Sequence, residues 1–329
     1  MFRLSNPQTR QLTEVTPAGR GLLRMYSCGP AGSRRAHIGD LRPYLTGDLI
    51  RRNAEHRHRL TALTCQNISD VGLPGDGAAA VDGAAAADAF SADCSALNLR
   101  PAESSPRSSE WAGLVADMLA GLAKAGWAAP WGTSPPGHGA ECAALSLHFL
   151  GEAIDIHVGD PLPPHLEQEC ALANAVAGHE VVRHWVRTGP LWFDGTALAG
   201  PVDDAVYLDD VTGRGLDPLA LRLAFLEHSY ADRMDLSWDA LAATDRTLRR
   251  WRARVAEWAQ SPSKPVVAPT AAQVAAAFDD SLDTPAALGA LHALEQDGEV
   301  APGAKFETFA QADQLLALDL ARDIGRSPA

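Results

Sequence analysis

Four side chains able to hold a soft or borderline metal ion fall where elements of this chain begin or end: Cys28, Cys142, His165 and Glu169. His165 and Glu169 are four apart, which on a helix puts both on one face, a common way to present two ligands to one ion. Zinc accepts such a mixture of sulfur, nitrogen and oxygen. The same residues also admit a plainer reading, as small buried thiols and an ordinary helix pair. A second constellation is Ala36-His37-Ile38-Gly39-Asp40, which follows a strand and opens a helix. A helix start offers unpaired N–H groups and a positive dipole end to phosphate, and the glycine permits close backbone approach. A simple turn of the form His-x-Gly is the alternative.

These residues need elements to hold them. LLRMYSC reads as a short buried strand ended by Gly29-Pro30, and the apolar spacing of Leu41, Leu45, Leu49 and Ile50 predicts a helix from about Gly39 to Arg57. RLTALTCQNI follows as a second strand, so the opening is that of a parallel α/β sheet. Residues 72–88 read as a loop or weak helix, and Pro106–Gly126 as an amphipathic helix. AECAALSLHFLG is read as helix, AIDIHVGD as strand, Glu167–Val186 as helix and LWFDGTALAGPVDDAVYL as irregular. The remainder reads as helices, with the linker SPSKPVVAPT from about residue 261.

Length and charge narrow the function classes. A chain of 329 residues exceeds what one core usually spans, so two domains are expected. There are 28 Lys+Arg against 41 Asp+Glu, and the net charge of −13 disfavours a polyphosphate partner. Five scattered cysteines do not form a disulfide framework. The polar start MFRLSNPQTR lacks the pattern of a signal peptide, and no apolar stretch suits a bilayer, so a cytoplasmic location without membrane contact is expected.

In order and spacing, several phrases resemble the cysteinyl-tRNA synthetase family, including its paralogue, the cysteine ligase of mycothiol biosynthesis. The resemblance lies in YSCGPAGSRRAHIGDLRPYLTGDLIRR, QNISDVG, PWGTSPPGHGAECAALSL, IDIHVGDPLPPHLEQE and DPLALRLAFLEHSYADRMDLSWDAL, and it covers nearly the whole chain. It implies a class I synthetase core, a Rossmann-like (HUP) parallel α/β sheet over residues 1–189 with a reduced insertion at 72–136. A linking region at 190–235 and a helical bundle at 236–329 would follow, without an anticodon-binding domain. It further implies that Cys28, Cys142, His165 and Glu169 hold a zinc ion that binds the thiolate of cysteine. Gly29, Ser69, His138, His157 and Asp160 would surround the substrate, with Asp160 on its ammonium. His138 stands where the family has tryptophan, so the pocket is expected to be roomier and more polar.

On the nucleotide side, His37 and Gly39 match the family's HIGH signature, while Asp40 takes its last position. The KMSKS loop falls on Ala197-Leu198-Ala199-Gly200-Pro201, so both of its lysines are missing. ATP is therefore the implied co-substrate at a site lacking its usual cations, and Arg34 and Arg35 are the nearby residues that could replace them. The resemblance implies an enzyme that joins the carboxyl group of cysteine, or of a cysteine-like thiol, to a small acceptor other than tRNA in specialised metabolism. A non-adenylating cysteine-binding protein and a residual cysteine–tRNA ligase are the alternatives.

Overall fold

The computed structural model describes residues 1–6, 11–30, 32, 34–70, 83–130, 138–159, 165–198 and 205–326, with the side chain of His165 outside that description. In chain order, β1 (Arg3–Ser5) and β2 (Leu12–Glu14) form an antiparallel pair, and β3 (Leu22–Ser27), α1 (Ile38–His58) and β4 (Thr61–Gln66) form the first crossover. Then come α2 (Gly83–Ala96), α3 (Ala112–Lys124), α4 (His138–Leu150), β5 (Ile154–Gly159), α5 (His165–Ala177) and β6 (Val182–Arg187). A hairpin follows, β7 (Leu191–Phe193) and β8 (Thr196–Leu198), then α6 (Leu208–Gly213), α7 (Pro218–Leu226) and β9 (Met234–Leu236). The chain closes with α8 (Trp238–Trp258), α9 (Ala268–Asp279), α10 (Thr284–Gln296) and α11 (Pro302–Leu316).

The central sheet is parallel, in the order β4-β3-β5-β6. Side chains alternate across it, as the strand period requires. Met25, Ile156 and Val158 join the apolar cluster of α1, whereas Tyr26, Cys28 and Cys65 join that of α4 and α5. The strand ends at Ser27, Gln66 and Gly159 therefore lie side by side, with one helical layer on each face. Ligands of open parallel sheets bind at such carboxyl ends.

The parallel α/β sheet and the carboxy-terminal helices agree with the expected fold class. Several local expectations do not hold. The helix expected over Glu167–Val186 stops at Ala177, because Gly178 takes a φ of 76° and turns the chain back into β6. The stretch expected to be irregular contains the β7–β8 hairpin, turned by Asp194 and Gly195 at φ 46° and 80°. Within Pro106–Gly126, a 3-10 turn at Ser108–Trp111 precedes α3. Of the stretch read as a loop or weak helix, residues 83–88 form the first part of α2, and residues 72–82 lie outside the described residues.

Buried arginines tie the helical part to the sheet. Arg42 of α1 donates to the carbonyls of Gly189, Ser229 and Asp232 at 2.7–2.9 Å. Arg222 of α7 reaches Asp48 of α1 at 2.7 Å and the carbonyl of Leu316 at 2.6 Å. Trp251 and Trp258 of α8 pack edge-on against Phe309 of α11. No helix among the described residues is long and apolar enough to cross a membrane.

Candidate metal and thiol site

β3 ends at Ser27, so Cys28 leaves the sheet toward the face covered by α4 and α5. There it meets Cys142 of α4 and Glu169 of α5. One ligand atom from each of the three lies within 4.8 Å of the others, and all three residues are buried. Cys28 Sγ is 3.2 Å from Glu169 Oε2 and 3.2 Å from His157 Nε2, and His157 Nε2 is 3.2 Å from Glu169 Oε2. The His157 ring is held between Tyr26 and Trp185, at centroid distances of 4.9 and 4.5 Å. Its Nδ1 is buried without a hydrogen-bond partner among the described residues.

Two thiols and a carboxylate in a dry pocket cannot all ionise unless a cation joins them. Burial, then the neighbouring Cys142 and Glu169, push the Cys28 thiol well above its ordinary range. Burial and the same neighbours do likewise to the Tyr26 hydroxyl. A divalent ion reverses that balance, since a coordinating thiol is deprotonated outright. The donor set and its spacing thus fit zinc, and Cys28, Cys142 and Glu169 would hold it. His165 opens α5 four residues before Glu169, with its side chain outside the described residues, where Asp160 also lies. His157, expected beside the substrate, stands against Cys28 and Glu169 themselves.

A polar network adjoins this cluster. Asn67 Oδ1 accepts from Gly29 N at 2.6 Å, from Tyr26 Oη at 3.1 Å and from Cys142 Sγ at 3.7 Å. The Gly29 turn lies so close that an added Cβ would sit 1.9 Å from the Asn67 carbonyl oxygen. Ser69 Oγ donates to Glu141 Oε2 at 2.8 Å and lies 2.8 Å from His138 Nδ1; Ser108 Oγ adds a bond to the same carboxylate at 2.7 Å. Burial lowers the affinity of His138 for a proton, but Cys142, Glu141 and Glu169 outweigh it and raise its pKa. Gly29, Ser69 and His138 are therefore brought together beside the cluster. Asn67 and Glu141, which the sequence reading did not single out, connect them. Their signal was position alone: Asn67 ends the QN phrase after β4, and Glu141 directly precedes Cys142.

The first turn of α1 is closed by its own residues. His37 N donates to Asp40 Oδ2 at 2.8 Å, Asp40 N donates to His37 Nδ1 at 3.2 Å, and Ile38 N donates to the Val206 carbonyl at 2.9 Å. Arg34 grips Asp40 with both terminal nitrogens, at 2.6 and 2.9 Å. Arg35 turns away to Asp209 at 2.6 Å and Asp93 at 3.5 Å, its guanidinium 5.2 Å from the centre of the Tyr207 ring. The carboxylates of Asp209 and Asp93 raise its already high pKa. Both arginine charges are thus balanced within the protein. Of the segment aligned with KMSKS, Ala197 and Leu198 lie in β8, and residues 199–204 fall outside the described residues. The Leu198 carbonyl would stand 2.9 Å from a Cβ at Gly39, so the end of the hairpin lies against the helix start.

Residues 120–246 match the family profile for the tRNA synthetases class I (C) catalytic domain. A cysteine–tRNA ligase from Methylocella silvestris is 30% identical over 401 aligned positions, covering 98% of this chain and 86% of its own. Since this chain has 329 residues, that relative carries segments which this one lacks. The L-cysteine:1D-myo-inositol 2-amino-2-deoxy-alpha-D-glucopyranoside ligase of Thermomonospora curvata is 34% identical over 202 residues, covering 59% of this chain and 48% of its own. Among solved structures, Mycobacterium tuberculosis methionyl-tRNA synthetase bound by methionyl-adenylate superimposes with a TM-score of 0.56 at 14% identity, over 90% of each chain. At that identity the likeness concerns the fold.

Proposed function

Because the chain belongs to the cysteine–tRNA ligase family of class I synthetases, we propose that it binds cysteine, or a cysteine-like thiol, at a zinc ion. Cys28, Cys142 and Glu169, with His165, would hold the ion, and the thiol's carboxyl group would be joined to a small acceptor other than tRNA. The observation that carries this reading is the buried convergence of Cys28, Cys142 and Glu169 from a strand end and two helices. Zinc would supply a soft partner for sulfur, which separates a thiol from a hydroxyl. Gly29, Ser69, His138, His157 and Asp160 would orient the rest of the substrate. Net charge −13 and the relative named as a cysteine ligase of an amino sugar support the small acceptor over tRNA.

A second reading, a cysteine-binding protein that forms no adenylate, is favoured by the closed first turn of α1. Its donors and the Arg34 charge are engaged by Asp40, His37 and Val206. If ATP is used, its phosphates must displace that pairing, and Arg34, released from Asp40, would be the cation to meet them. His37, Gly39 and Asp40 would then frame the nucleotide.

Metal analysis of the purified full chain, with calorimetric titration of cysteine and serine, tests the shared part. About one zinc per chain and binding of cysteine but not serine are expected. Metal-free protein indifferent to cysteine would overturn both readings. Cysteine-dependent pyrophosphate exchange then separates them. Exchange supports the ligase, and thiol binding without exchange supports the binding protein.

A further inference from the structure

A cleft of about 220 Å³ opens where the carboxyl end of α1 meets α9 and α11. Because α1 starts at the carboxyl ends of the strands and runs back before β4 begins, this cleft lies at the other end of the sheet from the thiol cluster. Pockets for drug-sized ligands run to roughly 300–1,000 Å³, so an occupant here must be smaller. Val274 of α9 and Leu315 of α11, both buried, give the cleft an apolar floor.

On a chain of net charge −13, the tail of α1 gathers the run His56-Arg57-His58-Arg59, and three of these four line the cleft. Among the described residues no carboxylate lines it. Asp279, at the end of α9, is engaged by Arg57 at 2.6 Å and by His58 at 2.7 Å. His56 accepts from Arg100 Nη2 at 2.7 Å, and burial, Arg100 and Arg52 lower its pKa, so its ring is neutral. Arg59 makes no ion pair among the described residues. Its backbone is fixed as the left-handed cap of α1, at φ 54° with its N–H on the Ala54 carbonyl, so the side chain leaves the helix from a set position. The cleft therefore carries one positive charge that the protein leaves unmatched, above an apolar floor. A guanidinium fork donates two parallel hydrogen bonds to a carboxylate.

We propose that this cleft is a second ligand site, for a small carboxylic acid that binds as the monoanion and carries an apolar body. The carboxylate would pair with Arg59 and the apolar body would lie on Val274 and Leu315, so that the ligand bridges α1 to the carboxy-terminal helices. The proposal is independent of the metal.

Benzoate serves as the probe, titrated into the full chain by ligand-observed NMR, beside benzamide, which lacks the charge, and acetate, which lacks the apolar body. Saturable binding of benzoate is expected, with both counterparts at least tenfold weaker. Arg59→Gln should weaken benzoate about fivefold, the worth of one solvent-exposed ion pair. Ala275→Glu, which sets a carboxylate on the half-buried cleft wall of α9, should weaken it at least tenfold, whereas Ala275→Gln, of the same size, should keep it within about threefold. Saturating benzoate should also raise the melting temperature of the wild type and leave that of Ala275→Glu unchanged. Absence of saturable binding, equal binding of benzamide or acetate, or wild-type affinity in both Arg59→Gln and Ala275→Glu would each overturn the site. Equal losses in the two Ala275 variants would overturn the selection by charge.

Discussion

Removing the carboxylate of Asp48 should unfold this protein far more readily than removing any surface charge. Asp48 Oδ2 receives Arg52 Nε at 2.7 Å and Arg222 Nη2 at 2.7 Å, and Oδ1 receives the amide of Arg100 at 3.2 Å. Asp48 is 6% exposed and Arg222 fully buried. Arg222 also donates to the carbonyls of Leu97 and Leu316, so one acid anchors α1, α7, the segment after α2 and the end of α11. Asp48→Ala leaves two guanidiniums in a dry interior without an anion, a change that costs about 3–5 kcal/mol. An exposed pair would cost about 1 kcal/mol at most. Urea unfolding followed by circular dichroism and tryptophan fluorescence measures the difference. The pair Asp48→Leu with Arg222→Met should recover part of the loss, since it removes the more deeply buried of the two stranded guanidiniums and leaves Arg52 without its anion. The pH dependence has a definite sign. Burial alone would raise the Asp48 pKa, but Arg222 and Arg52 outweigh it and hold the carboxyl below its ordinary range. Its contribution is therefore complete above the unfolded value of about 4 and fades as pH falls through the lower folded value. The gap between wild type and Asp48→Asn should close over that acidic interval. A cost below about 1 kcal/mol for Asp48→Ala would refute the reasoning, since that is the worth of a solvated pair.

Three further outcomes are expected. Cys142→Ala and Glu169→Gln should each lower the zinc content measured by atomic emission, whereas Cys170→Ser, outside the cluster, should leave it unchanged. Gly29→Ala should weaken thiol binding by calorimetry more than tenfold, because its Cβ would meet the Asn67 carbonyl at 1.9 Å and force apart the two loops that frame the cluster. Burial holds Asp93 up to about 6 despite Arg35, so the folded state keeps this proton longer than the unfolded chain. Stability from this group accordingly declines as pH rises from about 4 through about 6, and Asp93→Asn should flatten that part of a melting-temperature profile.

The sheet was legible because its first strands carry unmistakable local punctuation: LLRMYS is apolar and stops at Gly29-Pro30, and TALTCQ repeats the pattern. β6 was not, since VRHWVR follows α5 after a short break and carries no alternation that separates strand from helix. Gly178 held the missing information, as did the Asp194-Gly195 pair for the hairpin, a two-residue turn signal inside a stretch otherwise lacking pattern. Within the site, the convergence of Cys28, Cys142 and Glu169 followed from family resemblance and not from spacing, because the three are brought together only by the order of strands in the sheet. The closeness of His157 to Cys28 depends on the pairing of β3 with β5, where Tyr26 stands opposite His157. The engagement of Arg34 by Asp40 is a rotamer outcome that no one-dimensional pattern encodes.

The backbone oxygen of Leu198 pressed toward Gly39 alters how a retained signature should be interpreted. A methyl group there would pry the hairpin from the helix, so steric fit alone suffices to keep the position bare. Survival of that glycine in a descendant enzyme is then no testimony to nucleotide chemistry: a motif can outlast its original task when the fold has come to lean on one of its letters.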